Sequence, residues 1–373
     1  MTAQREDPKT LSEDLFSMRG LGILLVVFVH VVGVDAEHGV RKLFSTEHPQ
    51  LQWLMEFIHN FNMAVMLIGS GVAVAAFGRA DTTLREFARK KLNKLIVPML
   101  IWAPVLLVTQ RLLKHGMPRG AEGWLDLLLR VPNAWFPAYS IFWFVHVLVW
   151  ATLFSWLFRR FAVPRLGRWA WLLYLVAGVA LHLAVKLTRA RLGISTGHYL
   201  EFTLYWNRFF ALGLFVYPWL APARALLERL PAKRLALVAT GSLVAVGLLH
   251  STFPHEQYLQ TRVLTGPLAF GVLMMFAVLL RTANWGRVWK WARGLLSFTG
   301  ANSMNFYLFH IYFVSGTRIL VERVHPGTPL GVHLVLGCLV GYLGPCMLFW
   351  ALKERRSLPL GHSAEAPAPA LKS

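Results

Sequence analysis

Arg19 and His30 lie eleven residues apart in a single apolar run. On an α-helix eleven residues are close to three turns, so the two side chains share a face, separated by a rise of about 16 Å. An arginine can hold an anion through charge-assisted hydrogen bonds. An imidazole, with an ordinary pKa of about 6.5, can take the proton of an attacking hydroxyl. One helix therefore offers an anchor at one end and a base at the other. The milder readings are a topology-setting cation for Arg19 and a histidine hydrogen-bonded to a neighbouring helix for His30.

Other polar residues interrupt apolar runs in the same way. Glu56, His59, Asn60 and Asn62 fall within one run, and His59 and Asn62, three apart, share a helical face. Trp143 and His146 open another, although aromatic residues are also expected wherever a helix crosses the membrane interface. Arg208, beside Asn207 and near Tyr205, lies about 10 Å into its run and is expected to face the protein interior; His182 reads as structural. Asn302, Ser303, Asn305, Tyr307, His310 and Tyr312 give a late run a polarity that an inert lipid-facing helix would not have. Arg85, Arg89, Lys90, Lys91 and Lys94 form the densest basic cluster, either a topology signal or a site for a polyanion.

These residues need long helices to position them. Of 373 residues 56% are hydrophobic and 15% charged, which excludes an ordinary soluble enzyme. The net charge of +20 would suggest nucleic acid in a polar chain, but here it lies between apolar runs, so no nucleic-acid partner is expected. A span needs about 20 mostly apolar residues. Ten candidates are read, near 18–34, 54–77, 93–112, 139–158, 169–187, 201–220, 234–252, 263–281, 295–319 and 330–352. The expected fold is thus an all-α polytopic membrane protein of about ten transmembrane helices around a through-membrane cavity. Basic residues favour one set of loops by about two to one, which places both termini in the cytoplasm. The mixed charges before residue 18 argue against a secretory signal peptide. Residues 1–356 form the membrane domain; the Pro- and Ala-rich 357–373 should be a disordered cytoplasmic tail. The loop 113–138 should carry a short interfacial helix near Trp124–Leu129. Cys338 and Cys346 support neither a disulfide framework nor a metal site, and no tightly bound cofactor is expected.

Four segments resemble the integral-membrane acyltransferase-3 family. Met18-Arg19-Gly20-Leu21-Gly22 through Val29-His30 is similar to its first-helix motif, an Arg followed by ten residues and a His. Phe57-Ile58-His59-Asn60-Phe61-Asn62-Met63 through Ser70-Gly71 resembles its second-helix pattern, Arg89-Lys90-Lys91-Leu92-Asn93-Lys94 through Pro98 its basic segment, and Ser303-Met304-Asn305-Phe306-Tyr307-Leu308-Phe309-His310 its late motif. There are departures. Phe16 stands where the family often has Asp, with Asp14 two residues earlier, Ala64 replaces a Pro, and lysines replace arginines in the basic segment.

The resemblance implies acyl transfer, most often of acetyl, from cytoplasmic acyl-CoA as co-substrate to a hydroxyl of an extracytoplasmic or lipid-linked glycan, such as an exopolysaccharide unit. The expected setting is a bacterial inner membrane. Arg19, Arg89, Lys90, Lys91 and Lys94 would bind the phosphates of the donor. His30 would act as general base, with an oxyanion donor among Asn62, His310 and Arg208 worth about 3–4 kcal/mol. His59, Trp143, His146 and Arg208 would hold the acceptor. Direct transfer is favoured because no Ser or Cys near His30 forms a nucleophile pair, and an acyl-His30 intermediate stays open. The same polar residues would also suit a secondary transporter or flippase for an anionic solute or lipid-linked sugar, although no internal repeat supports it.

Overall fold

The computed structural model describes residues 7–33, 38–44, 48–79, 81–136, 140–194, 198–253 and 258–354. The expected tail, 357–373, lies outside them. Every element among the described residues is helical, as lipid demands of a chain that must satisfy its own backbone. In order these are α1 (Pro8–Val32), α2 (Arg41–Phe44), α3 (Pro49–Phe77), α4 (Leu84–Lys91), a π-helical turn (Leu92–Ile96), α5 (Val97–His115) and α6 (Gly120–Arg130). Then follow α7 (Trp143–Phe161), α8 (Val163–Leu166), α9 (Trp169–Leu192), α10 (His198–Glu228), α11 (Ala232–Thr252) and α12 (Tyr258–Thr282). The chain closes with α13 (Arg287–Ala301), α14 (Ser303–Val324) and α15 (Leu330–Glu354).

Among the described residues nine helices are long and apolar enough to cross a bilayer, against ten expected. The difference lies at 295–319, read from sequence as one span. It is divided at Asn302, which ends α13 and begins α14. The Asn302 side chain donates to the Phe298 carbonyl at 2.9 Å, an amide taking up a helix-end acceptor where the ladder stops. The polar residues that follow leave α14, at 22 residues, without a sufficiently apolar window.

α3 is the most enclosed helix, packed against α1, α10 and α12. Gly71 on α3 lies under the Phe210 carbonyl of α10, and Gly213 of α10 under the Ile68 carbonyl of α3; a methyl group at either would strike backbone. Small residues bring helices together in this way where lipid gives no hydrophobic drive. α13 runs alongside α1 in the same direction, Glu13 meeting Arg293 at 2.6 Å and Ser17 meeting Ser297 at 3.1 Å. There Gly20 faces the Leu296 carbonyl and Gly300 the Phe16 carbonyl.

The start of α1 is also fixed electrostatically. Asp14 is fully buried and accepts from Arg224 of α10 (Nη2 at 2.5 Å, Nε at 2.9 Å) and from Arg281 of α12 (Nε at 2.8 Å). Arg281 also pairs with Glu228. Two carboxylates thus balance two guanidiniums, with Asp14 and Arg224 buried and Glu228 exposed at the edge.

Candidate functional site

The first helix carries the principal pair. Arg19, half-buried, donates through Nη2 to the Gly69 carbonyl of α3 at 3.4 Å. Toward the other end of α1, the Nδ1 atom of His30 lies 2.9 Å from the Val26 carbonyl and 3.3 Å from Nε2 of His310 on α14. The two rings meet edge to face, centroids 4.8 Å apart at 71°. His310 is fully buried, its Nδ1 within 3.1 Å of the Phe306 carbonyl and 2.9 Å of the Tyr307 carbonyl.

These contacts assign the protons. Carbonyl oxygens only accept, so Nδ1 of neutral His310 carries its hydrogen and Nε2 presents a lone pair. Nδ1 of His30 then faces two acceptors, the Val26 carbonyl and that lone pair, and carries a hydrogen as well. The lone pair of His30 is left on Nε2, where it can accept a proton. The break at Asn302 begins the helix that brings His310 to this place, and Tyr307 ties α14 to the approach of α7 by donating to the Ile141 carbonyl at 2.5 Å.

Asn62 of α3 is buried against α1. In the orientation that satisfies its amide, the nitrogen donates to the Gly22 carbonyl at 3.2 Å and the oxygen accepts from Val26 N–H at 3.1 Å. Asn62 therefore holds the turn of α1 whose Val26 carbonyl orients His30. His59 lies one turn away on the same face of α3.

Arg262, at the start of α12, falls by sequence between the expected spans 234–252 and 263–281. It is 4% exposed, donates through Nε to the Asn60 carbonyl at 3.0 Å and lies 4.7 Å from the Trp206 ring. Trp206 in turn packs on Trp143 at 4.8 Å. A connected line thus runs from Asn60 of α3 through Arg262 to Trp206 and Trp143. The signal for Arg262 was its place at the head of an apolar run, which in one sequence does not separate a buried cation from a snorkelling one.

Two expected acceptor residues lie off this line. His146 pairs through Nδ1 with the Tyr199 hydroxyl, and its Nε2 is buried with no protein partner among the described residues. Arg208 donates to His182 Nδ1 at 2.8 Å and to the Tyr205 carbonyl at 2.8 Å, and it stacks 4.3 Å from the Tyr205 ring. It belongs to the seam of α9 and α10, with Tyr205 between it and Arg262.

At the opposite end, Lys91 and Lys94 are close enough to feel each other's charge and that of Arg19. The π-helical turn Leu92–Ile96 sets their relative direction, and such turns are frequent at functional sites. Arg89 and Lys90 are exposed on α4, and among the described residues no contact links them to Arg19. The nearby carboxylate of Asp81 is taken by Arg79, whose donated bonds at 3.1 and 3.3 Å hold it below the ordinary carboxylate range. Among the described residues no carboxylate pairs with Arg19, Lys91 or Lys94.

Among curated proteins and solved structures no match is found. The model of the acyltransferase domain family Acyl_transf_3 matches residues 14–350, from the buried Asp14 into the last turns of α15, and so encloses both ends of the site. The chain belongs to the acyltransferase-3 family and is a membrane acyltransferase.

Proposed function

We propose that the protein transfers an acyl group, acetyl in the simplest case, from cytoplasmic acyl-CoA to a hydroxyl of an extracytoplasmic or lipid-linked glycan. The observation that carries this reading is the His30–His310 pair, whose hydrogen bonding leaves a lone pair on His30 Nε2. Arg19, Lys91 and Lys94 hold the phosphates of CoA, and the pantetheine arm runs along α1 through a cavity that crosses the membrane. The acceptor hydroxyl gives its proton to His30 Nε2 as its oxygen attacks the thioester carbonyl. The new C–O bond forms, the C–S bond breaks, and the leaving thiolate takes the proton from the imidazolium. His310 accepts the Nδ1–H of that imidazolium and so fixes the tautomer and steadies the charge. Both ends of the Asn62 amide are taken by the backbone of α1, which favours a positioning role for it over that of oxyanion donor.

We favour direct transfer, with His59, Arg262 and Trp143 flanking the approach of the acceptor and His146 and Arg208 bracing the helices behind. The setting is a bacterial inner membrane with the Arg19 end in the cytoplasm. The break at Asn302 is of a kind shared with transporters, but the proton arrangement at His30 suits chemistry rather than passage. Equilibrium binding of acetyl-CoA and of dephosphorylated CoA to the purified protein tests the reading. Saturable binding weakened by loss of the phosphate is expected; a folded protein that binds neither would overturn it.

A further inference from the structure

A small pocket opens beside His30, on the side away from α3. It is lined by His30 and Val31 of α1, the Gly39–Val40 turn, Ser315 and Arg318 of α14, and His333 of α15. Its enclosed volume of about 10 Å³ is room for a single water-sized group, so it suits one oxygen of an anion at its mouth rather than a whole substituent or ring. None of Ser315, Arg318 and His333 belongs to the donor end, the His30–His310 pair or the aromatic line through Trp206.

The polar groups of this pocket are ordered. Arg318 is half-buried and donates through Nη1 to the Gly39 carbonyl at 2.5 Å, which ties α14 to the turn after α1. His333 is 2% exposed and is held through Nε2 by Glu322 at 2.8 Å. Glu322, one turn beyond Arg318, thus has one oxygen committed to the imidazole. A guanidinium has five N–H donors in a planar fork, and one bond to a carbonyl leaves an edge suited to a two-oxygen anion. Ser315, three residues earlier on the same helical face, adds a hydroxyl.

Resting on the acyltransferase reading, we propose that this pocket receives an oxyanion carried by the acceptor and that Arg318 is its specificity-determining residue. The anion is a carboxylate on the sugar or the phosphate of a lipid carrier, and binding it brings a neighbouring hydroxyl to His30.

The test is equilibrium binding of tetragalacturonate, its neutral methyl ester and undecaprenyl phosphate to wild-type protein, Arg318→Gln and Arg318→Lys, with acetyl-CoA binding measured on each. Ser315→Trp covers the pocket mouth without removing the Arg318–Gly39 bond and serves if loss of that bond unfolds the protein. At least one anionic probe should bind about tenfold or more tightly than the ester. Arg318→Gln and Ser315→Trp should abolish that preference, Arg318→Lys should retain part of it, and acetyl-CoA affinity should not change. A preference for tetragalacturonate identifies the sugar carboxylate as the source, and one for undecaprenyl phosphate identifies the carrier. Equal binding of ester and anions, or a preference that survives both Arg318→Gln and Ser315→Trp, overturns the proposal. Loss of acetyl-CoA binding by wild-type protein would instead strike the acyltransferase reading, so the two failures are distinguishable.

Discussion

Two imidazoles do different work at the residue scale because their surroundings differ. His310 spends Nδ1 on its own helix and Nε2 on His30, whereas His30 keeps Nε2. Replacing the base should therefore differ from replacing its support. His30→Ala should lower turnover by about 10²–10⁴, the usual contribution of a general base, while acetyl-CoA affinity and thermal unfolding stay as in the wild type. Turnover within a fewfold of wild type would remove His30 from the chemistry. His310→Ala should lower kcat by up to about 10² through misplacement of the base, with the KM for acetyl-CoA unchanged. His310→Gln should restore part of that loss if its amide can accept the His30 Nδ1–H, a recovery that a simple packing role would not produce. At the donor end, the substitutions Lys91→Gln and Lys94→Gln together should raise the KM for acetyl-CoA, whereas Arg89→Gln and Lys90→Gln together should leave it unaltered. Equal effects of the two pairs would show that the grouping around Arg19 is not the donor anchor.

Elements hold these residues through contacts far apart in sequence, and here what could be read from sequence divides sharply. The apolar runs were legible because a bilayer sets their length, and nine of them return as continuous helices. Arg19 and His30 on one face of α1 were legible because helical period fixes such pairs. The break at Asn302 was not, since a polar cluster within an apolar run is as compatible with a helix lining a cavity as with two helices. Arg224, Arg281 and Arg262 were read as loop charges because hydropathy locates a run's end without saying which way a cation at that end turns. All three are directed inward, and the first two enclose Asp14. That cluster predicts a stability effect: Asp14→Ala removes the carboxylate that Arg224 and Arg281 share and leaves Arg281 with Glu228, and removal of one partner of a buried ion pair typically costs about 3–5 kcal/mol. Thermal unfolding in detergent should fall clearly below wild type. An unchanged midpoint would mean that the glycine contacts of α1 with α13 hold it without the ion pairs.

For the whole molecule, the proposed reaction is divided between two compartments by the two ends of α1. Three cations gather at the Arg19 end, while the lone pair of His30, the Arg318 pocket and the aromatic line through Trp206 and Trp143 gather at the other. Along α1 the separation of Arg19 from His30 is about 16 Å, roughly half a hydrocarbon core. A polyanionic donor recognised by its phosphates does not itself cross a membrane; its flexible arm can reach inward from one face. In sealed proteoliposomes of uniform orientation, acetyl-CoA supplied to the face that exposes Lys91 and Lys94 should support transfer to an acceptor confined to the opposite face. Supplied to that opposite face, it should support none. The donor KM should also rise with ionic strength, because contacts between phosphate and exposed ammonium groups are screened within a Debye length of about 10 Å at 0.1 M salt. Consumption of acetyl-CoA equally from both faces of sealed vesicles would break the link between the cation cluster and the donor. The route along α1 would then have to be drawn from the His30 end.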